Sequence, residues 1–562
     1  MRNFPGVWRR IVSTLCFALS TLLLTSRLPA EEEEGPLAGH SAHGEAFNEG
    51  PRQAAYLMDG TGPIHFEVTS HHPDVQKFVE QGIGQLHGFW YFEAERSFRQ
   101  AAMLDPDCAI CYWGMAMANT GNSKRAKEFL AEAMERRSNA TEREAMYIDA
   151  LDDYLNGKGD KKEKAKRQIE LYEAIAERYP EDLEAKAWLG YTLYKQRSSA
   201  GKKYEEVDAA LKAVLAIEPL HPVHHYRIHL WDYKEAKNAL DSAAKCGAAA
   251  PDIAHMWHMP GHIYSRLKRY EDAVWQQEAS ARTDHAHMMR DRVLPDEIHN
   301  FAHNNEWLIR NLIYVGRWRD AIDLAKNMIE LPRHPKYNTL SKRRSSYYGR
   351  IRLLDVLKRY EMWPELISLT DSAYLEPTDD EKEQIRRLHH RGMAFAHLHH
   401  VDEMNQVLAD LNARLDKEQQ KVAEQDRKHE EAVAKAKKEG KKPPEKPKRN
   451  GEDPVKRLEK AIASIEGRLL VEYGDYQPAL ELLKKAGEDK HTIAHVQVLA
   501  GEKEAALKAI EEEVGKRENQ VHTLAVQIEM LWTAGEKEKA RKVFEKLRGL
   551  SGSLQFGVGP FD

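Results

Sequence analysis

The sequence predicts an all-α fold in which helix–turn–helix units stack into a solenoid. Three observations lead to this prediction. Leu, Ala, Glu, Lys and Arg dominate the composition, which favours helix. Large and small residues recur with a spacing typical of units of about 34 residues. Gly and Pro fall mainly between the helical stretches. The 562 residues suffice for one long array of this kind.

The first clear unit spans Asp74–Pro106. Small side chains at fixed positions let its two helices approach closely, and a proline ends the second helix. Its large, small and terminating positions are Phe78, Gly82, Ala94, Phe98, Ala101 and Pro106.

Similar units follow along the chain. They are Leu183–Pro219 with an insertion at Arg197–Lys203, the shortened Val223–Pro251, Ala254–His287, Ala302–Pro335, and weaker units at Ser346–Pro377 and Glu383–Leu415. Residues 316–321 repeat the turn of residues 268–273, which fixes the register between two of them. One unit cannot bury its apolar face alone, so neighbours must stack and leave a concave face lined mainly by first helices.

These patterns resemble the tetratricopeptide repeat (TPR) superfamily over residues 74–415 and again over 455–550. Residues 88–98, 104–109, 112–116 and 258–264 are similar to a group of exported bacterial repeat proteins. The resemblance implies a TPR-like αα superhelix and a protein-interaction role. It also implies that positions 2, 5, 9, 12 and 13 of each first helix face the groove, whereas positions 4, 8, 11, 20, 24 and 27 pack.

The N-terminus has the pattern of a secretory leader. Arg2, Arg9 and Arg10 precede the apolar run Ile11–Leu24, and Ala30 offers a small residue for cleavage. We therefore expect an exported protein, periplasmic or otherwise extracytoplasmic, with an uncleaved membrane anchor as the alternative. No later segment approaches 18 consecutive apolar residues, so no membrane span is expected after cleavage.

The predicted organisation has six parts. They are a signal peptide at 1–30, an acidic and largely disordered lead-in at 31–72, a TPR-like solenoid at 73–416, a charged helix and Lys/Pro-rich linker at 417–454, C-terminal TPR-like helical pairs at 455–550, and a Gly-rich tail at 551–562.

Histidines concentrate at groove positions of the central units. With Ala254 and Ala302 as position 1 of two consecutive units, both first helices carry polar side chains at positions 2, 5 and 9, and the first of them also carries one at position 12. The predicted groove-binding residues are His255, His258, His262, Ser265, His303, Glu306 and Arg310.

Three consecutive first helices each carry a His-x-x-x-His pair: His225/His229, His258/His262 and His299/His303. Such a pair lies on one helix face and can chelate one ion. Packed helices lie about 8–10 Å apart, so imidazoles from neighbouring helices can meet. With Glu306 as a further ligand or base, the set suits zinc, copper, nickel or iron.

The leading functional hypothesis is an exported, non-enzymatic scaffold that binds a protein or peptide in its concave groove. A metal-binding protein or metal-dependent enzyme that uses the histidine pairs is the alternative, and solvated or structural histidines remain open. The net charge of −5 shows no basic excess, so nucleic-acid binding is not expected. The sequence has no nucleophile elbow, phosphate loop or paired-carboxylate signature.

Cys108 and Cys111 form a further candidate pair, at the start of a predicted helix whose dipole would lower a thiol pKa. A redox role is one interpretation, and packing or a local disulfide is the other. No βαβ pattern surrounds the pair and no His follows Cys111, which excludes a thioredoxin motif and a c-type haem attachment.

Overall fold

The computed structural model describes residues 53–298, 300–332, 338–340, 344–445 and 453–550. Within these ranges the chain forms twenty-four α-helices and three short 3-10 turns, with no strand. The predicted all-α class is therefore confirmed. The leader at 1–30, most of the lead-in, and the tail at 551–562 lie outside the described residues.

The helices of the described residues are numbered here in chain order. They are α1 (Pro73–His87), α2 (Tyr91–Leu104), α3 (Ala109–Ala118), α4 (Ser123–Glu135), α5 (Glu142–Asn156), α6 (Lys161–Arg178), α7 (Leu183–Ala200), α8 (Tyr204–Ile217), α9 (His224–Trp231), α10 (Leu240–Ala249), α11 (Ala254–Arg266), α12 (Tyr270–Asp291), α13 (Phe301–Tyr314), α14 (Trp318–Glu330), α15 (Ser345–Arg359), α16 (Trp363–Thr370), α17 (Glu381–His397), α18 (Val401–Lys438), α19 (Pro454–Glu472), α20 (Tyr476–Ala486), α21 (Lys490–Leu499), α22 (Lys503–Lys516), α23 (Val521–Thr533) and α24 (Lys537–Leu550).

Each helix packs on the next along the chain, and several also touch the helix two places away, as α9, α11 and α13 do. The small repeat positions explain how close the pairs lie. A Cβ at Gly82 would come within 2.7 Å of the Phe98 ring, and one at Gly261 would come equally close to Gln277. Ala94 is fully buried, as its repeat position predicts. The result is a TPR-like αα superhelix.

The 38-residue helix α18 crosses the predicted boundary between solenoid and linker. Its buried residues end at Leu411, and the rest of the helix is a charged, solvent-facing rod. The core nevertheless continues past the linker, because α19 packs directly against α17 and α18. Leu458 and Ile465 share one apolar cluster with Leu388 and Leu411.

The C-terminal helices also return to the central units. The Lys268 ammonium donates to the backbone oxygen of Gly515 at 2.8 Å, and the Gln520 amide lies 3.2 Å from the Tyr270 hydroxyl. Lys358 forms an ion pair with Glu488 at 3.0 Å. These contacts brace α11–α15 from the C-terminal side.

Residues 53–72, predicted as part of a largely disordered lead-in, form an extended segment held by helix side chains. Gln81 exchanges hydrogen bonds with the backbone of Tyr56 and Met58, and Glu144 accepts from Thr69. None of the described helices combines the length and apolarity needed to cross a bilayer.

Candidate metal centre

Three neighbouring helices of the central units carry the histidines that the sequence singles out. Helix α11 packs against α9 on one side and against α13 on the other. Residues four apart share a helix face, so the His225/His229 pair and the His258/His262 pair each lie on one face of their helix. The outcome is two groups of three imidazoles, and α11 contributes to both.

The first group, site A, consists of His225, His229 and His255, whose ligand atoms lie within 4.8 Å of one another. Nε2 of His229 lies 2.9 Å from Nε2 of His225. Two nitrogens bound to one ion at about 2.0–2.1 Å lie about 2.9–3.4 Å apart for bond angles from 90° to tetrahedral. The His225/His229 pair therefore already has nearly the spacing of two ligands.

The hydrogen bonds of His225 decide which of its nitrogens is free. Nδ1 lies 2.7 Å from the backbone oxygen of His87, and a carbonyl oxygen only accepts, so Nδ1 carries the proton. Nε2 then presents a lone pair towards His229. Burial lowers the pKa of His225 to about 4, so the ring is neutral at physiological pH, as a metal ligand must be.

The second group, site B, consists of His258, His262 and His303, again with ligand atoms within 4.8 Å of one another. Nε2 of His262 lies 2.8 Å from Nε2 of His258. Nδ1 of His262 lies 3.1 Å from the carboxylate of Asp232, which also accepts from Arg266 at 2.9 Å. A carboxylate that orients a histidine through its second nitrogen is the usual outer partner of a metal ligand.

The rings of site B are held in place by neighbouring side chains, and burial keeps two of them, His258 and His303, uncharged. His262 stacks on Trp307, with the ring centroids 4.1 Å apart. Burial lowers the pKa of His303 to about 4, and burial together with His262 and His303 lowers that of His258 well below its usual range. Nδ1 of His258 is buried and has no hydrogen-bond partner among the described residues.

Sites A and B are neighbours. His255 of site A and His258 of site B stand on the same helix, with ring centroids 5.7 Å apart. The pKa of His229 is lowered mainly by burial and then by His225, and the nearby imidazoles of His262 and His303 in site B lower it further. His229 and His303 are only partly buried, so one edge of each site is accessible.

Two residues with left-handed backbone conformations touch site A. Phe89 has φ 57° and sets its ring against His225, with centroids 4.4 Å apart. Asn300 has φ 66°, and its side-chain amide lies 3.1 Å from Nδ1 of His255. Left-handed φ is costly for a residue such as Phe, and such strain concentrates at functional sites.

A third group, His87, Glu184 and His221, is also close enough to hold an ion. All three residues are buried, and Glu184 accepts from both rings, at 2.7 Å from His87 and 3.0 Å from His221. The other ring nitrogens accept as well, from Tyr226 OH and from the backbone N–H of Val223. Every nitrogen is therefore used, which is the arrangement of a structural hydrogen-bond network rather than of a ligand set.

The remaining predicted residues lie around site B or away from it. Glu306 is buried in ion pairs with Arg310 and Arg352 instead of joining the three imidazoles. Burial alone would raise the pKa of Glu306, but the two arginines lower it. Ser265 is half-buried near the end of α11, and His299 lies outside the described residues.

Cys108 and Cys111 are both buried free thiols. Burial, assisted by Cys108, raises the pKa of Cys111 well above its usual range. This shift is opposite to the one that activates a thiol for redox chemistry.

The sequence pattern did not single out several residues that build the sites. His255 was assigned to the groove and not to a metal set, and Asp232, Phe89 and Asn300 were not assigned at all. The sequence carries a signal for His255. It stands at position 2 of its unit, and the preceding unit carries the His225/His229 pair. In the same way, His303 stands at position 2 of the unit that follows the His258/His262 pair. For the other three no local spacing indicated a role.

No protein-family model matches the chain, and no curated protein matches it. Among solved structures, the APC/C hetero-tetramer Cut9-Hcn1 is 11% identical, with 88% of this chain and 76% of that chain covered and a TM-score of 0.28. A human IFIT1 dimer with m7Gppp-AAAA is 12% identical, with 84% and 95% covered and a TM-score of 0.28. Neither likeness carries an argument about what this protein binds, so the expectation of no nucleic-acid partner stays a prediction.

Proposed function

We propose that this protein binds transition-metal ions, one at site A and one at site B, on a rigid TPR-like scaffold. The observation that carries the proposal is the convergence of two sets of three imidazoles, each set within 4.8 Å. In each set one ring is oriented through its other nitrogen, by the His87 carbonyl in site A and by Asp232 in site B.

The donor set fits zinc, copper, nickel or iron. Neutral imidazole nitrogens suit these ions, whereas magnesium and calcium prefer carboxylate and carbonyl oxygens. No carboxylate belongs to either three-histidine group. Asp232, which accepts from His262, would supply negative charge beside an ion at site B.

Three protein ligands leave a coordination position for water or a substrate, as in catalytic rather than structural zinc sites. An ion held in this way supplies Lewis acidity and lowers the pKa of a bound water. The protein residues would hold the ion, orient the rings and limit solvent access through Phe89 and Trp307, which cover site A and site B respectively.

The burial of the histidines favours this function over direct contact with a peptide. His225 and His258 have no exposed surface, and His255 and His262 are less than a tenth exposed, so a docked peptide could not reach most of these rings. Peptide binding elsewhere in the groove remains a prediction from the repeat pattern. Export is part of the same proposal and rests on the leader pattern of residues 1–30.

The test is elemental analysis of the mature protein, produced without an affinity His-tag and loaded separately with zinc, copper, nickel and iron before dialysis. We expect about two equivalents of one of these metals per chain, one for each three-histidine group. His229→Gln should remove the ion of site A alone, and His262→Gln that of site B alone.

His429→Gln is the matched control, because His429 lies on the solvent-facing part of α18, far along the chain from both groups. It should retain both ions. Absence of any stoichiometric metal after loading, in protein whose circular dichroism is that of a folded helical chain, would falsify the proposal.

A further inference from the structure

A cavity of about 600 Å³ opens among helices α1–α7, in the N-terminal half of the solenoid. Leu86 of α1, Met117 of α3, Leu151 of α5 and Trp188 of α7 all line it. Its volume lies within the range of cavities that hold small organic molecules.

The charged side chains that line this cavity are all positive. Lys161, Lys164 and Lys195 contribute to its lining, and no Asp or Glu does. Within the described part of the chain none of these three ammonium groups forms an ion pair, although lysines nearby do, such as Lys166 with Glu170. A recess with three unneutralised cations favours an anionic occupant.

Five aromatic side chains also line the cavity. Tyr91, Tyr154, Tyr172 and Tyr191 line the cavity together with Trp188. Trp188 is only 2% exposed, and its indole nitrogen has no acceptor among the described residues. A buried N–H donor without a partner costs free energy. Aromatic walls favour a flat apolar body for that occupant.

The cavity adjoins site A. The rings of Tyr91 and Phe89 stack with centroids 5.6 Å apart, and Phe89 in turn contacts His225. Lys195 is close enough for its charge to contribute, after burial and the neighbouring histidines, to the lowered pKa of His229. The stacked Tyr91 and Phe89 rings therefore connect the lining of the cavity to His225.

We propose that this cavity binds a small organic acid, with its carboxylate among Lys161, Lys164 and Lys195 and its aromatic body between the tyrosines and Trp188. The lysines would supply the charge recognition, and the aromatic rings would supply the apolar contact. This inference does not rest on the metal, since none of its residues belongs to site A or site B.

Isothermal titration calorimetry on the full-length, EDTA-treated protein tests the proposal. The probes are 2-naphthoate and its neutral isostere 2-naphthamide. We expect 2-naphthoate to bind at least tenfold more tightly. The double variant Lys164→Gln/Lys195→Gln should abolish that difference, and Tyr154→Ala should weaken both probes.

Lys166→Gln/Lys212→Gln is the matched control, because it removes two lysine charges from α6 and α8 outside the lining. It should bind as the unchanged protein does. Equal affinity for the two probes, no binding of either, or an unaltered preference in a folded Lys164→Gln/Lys195→Gln variant would each overturn the proposal. Tenfold tighter binding of a short peptide with a C-terminal Phe carboxylate than of 2-naphthoate would also overturn the proposal, because the occupant would then be the C-terminus of a peptide. Because no metal is present, failure here leaves the metal proposal untouched.

Discussion

Sites A and B differ from the His87–Glu184–His221 network, although all three groups bring ligand-type atoms within 4.8 Å. In the network a carboxylate accepts from both rings, and the other ring nitrogens accept from Tyr226 and Val223. In sites A and B imidazole faces imidazole, and Nδ1 of His258 has no partner in the described structure. Proximity alone therefore does not distinguish a set of metal ligands from a structural network. The distinction lies in whether the ring nitrogens already form hydrogen bonds to other groups of the protein.

The largest expected effect follows from removing the carboxylate of the network. Glu184→Ala leaves two buried ring N–H groups without an acceptor, and breaking a buried pair of this kind costs about 3–5 kcal/mol. Urea unfolding of the metal-free protein measures this loss, while the metal content should stay unchanged. Glu181→Ala, an exposed neighbour, is the control. If Glu184→Ala lost a bound ion but little stability, Glu184 would be a metal ligand. The network would then not differ in kind from sites A and B.

The free energy of unfolding should depend on pH in different ranges for the histidines of the metal sites and for the carboxylate of the network. Burial lowers the pKa of His225 to about 4, so the unfolded chain binds protons that the folded chain excludes between pH 6.5 and 4. Stability is present above pH 6.5 and is lost as the pH falls towards 4, by about 3 kcal/mol for this histidine at 1.36 kcal/mol per pKa unit.

Glu184 should act in a lower window. Burial alone would raise its pKa, but His221 and His87 lower it to about 2. Its contribution is present above the unfolded pKa near 4.3 and is lost as the pH falls towards 2. Unfolding free energies measured from pH 8 to pH 3 should therefore fall first through the buried histidines with lowered pKa, of which His225 is one, and His225→Gln should reduce the slope between pH 6.5 and 4. An unchanged slope in this variant would contradict the assignment of a buried, neutral His225.

A smaller effect is expected from the outer partner of site B. Asp232→Asn keeps the shape of the side chain but removes the charge that orients His262, and such changes lower metal affinity about 10–100-fold. Competition with a chelator should show weaker binding at site B and unchanged binding at site A. Asp241→Asn, on the exposed face of α10, is the control. Equal weakening of both sites would indicate a general loss of structure instead.

The fold was predictable from the sequence because its determinants are local. Gly82 and Gly261 stand where a Cβ would collide with the facing helix, and the repeat spacing marks both positions. The continuity of the core across the linker was not predictable. Contacts such as that of Leu458 with the cluster of Leu388 and Leu411 depend on how the solenoid curves.

The candidate metal sites were predictable in part. The sequence by itself determined the His-x-x-x-His pairs and their helix faces, because residues four apart always share a face. Only the tertiary structure decided that each pair is completed by one histidine from the following unit, His255 or His303, and that Glu306 turns to its arginines. It also decided which nitrogens are free, since Asp232 and the His87 carbonyl approach through space. The physical reason is that helical periodicity is a property of the local chain, whereas convergence and lone-pair use depend on helix-to-helix register.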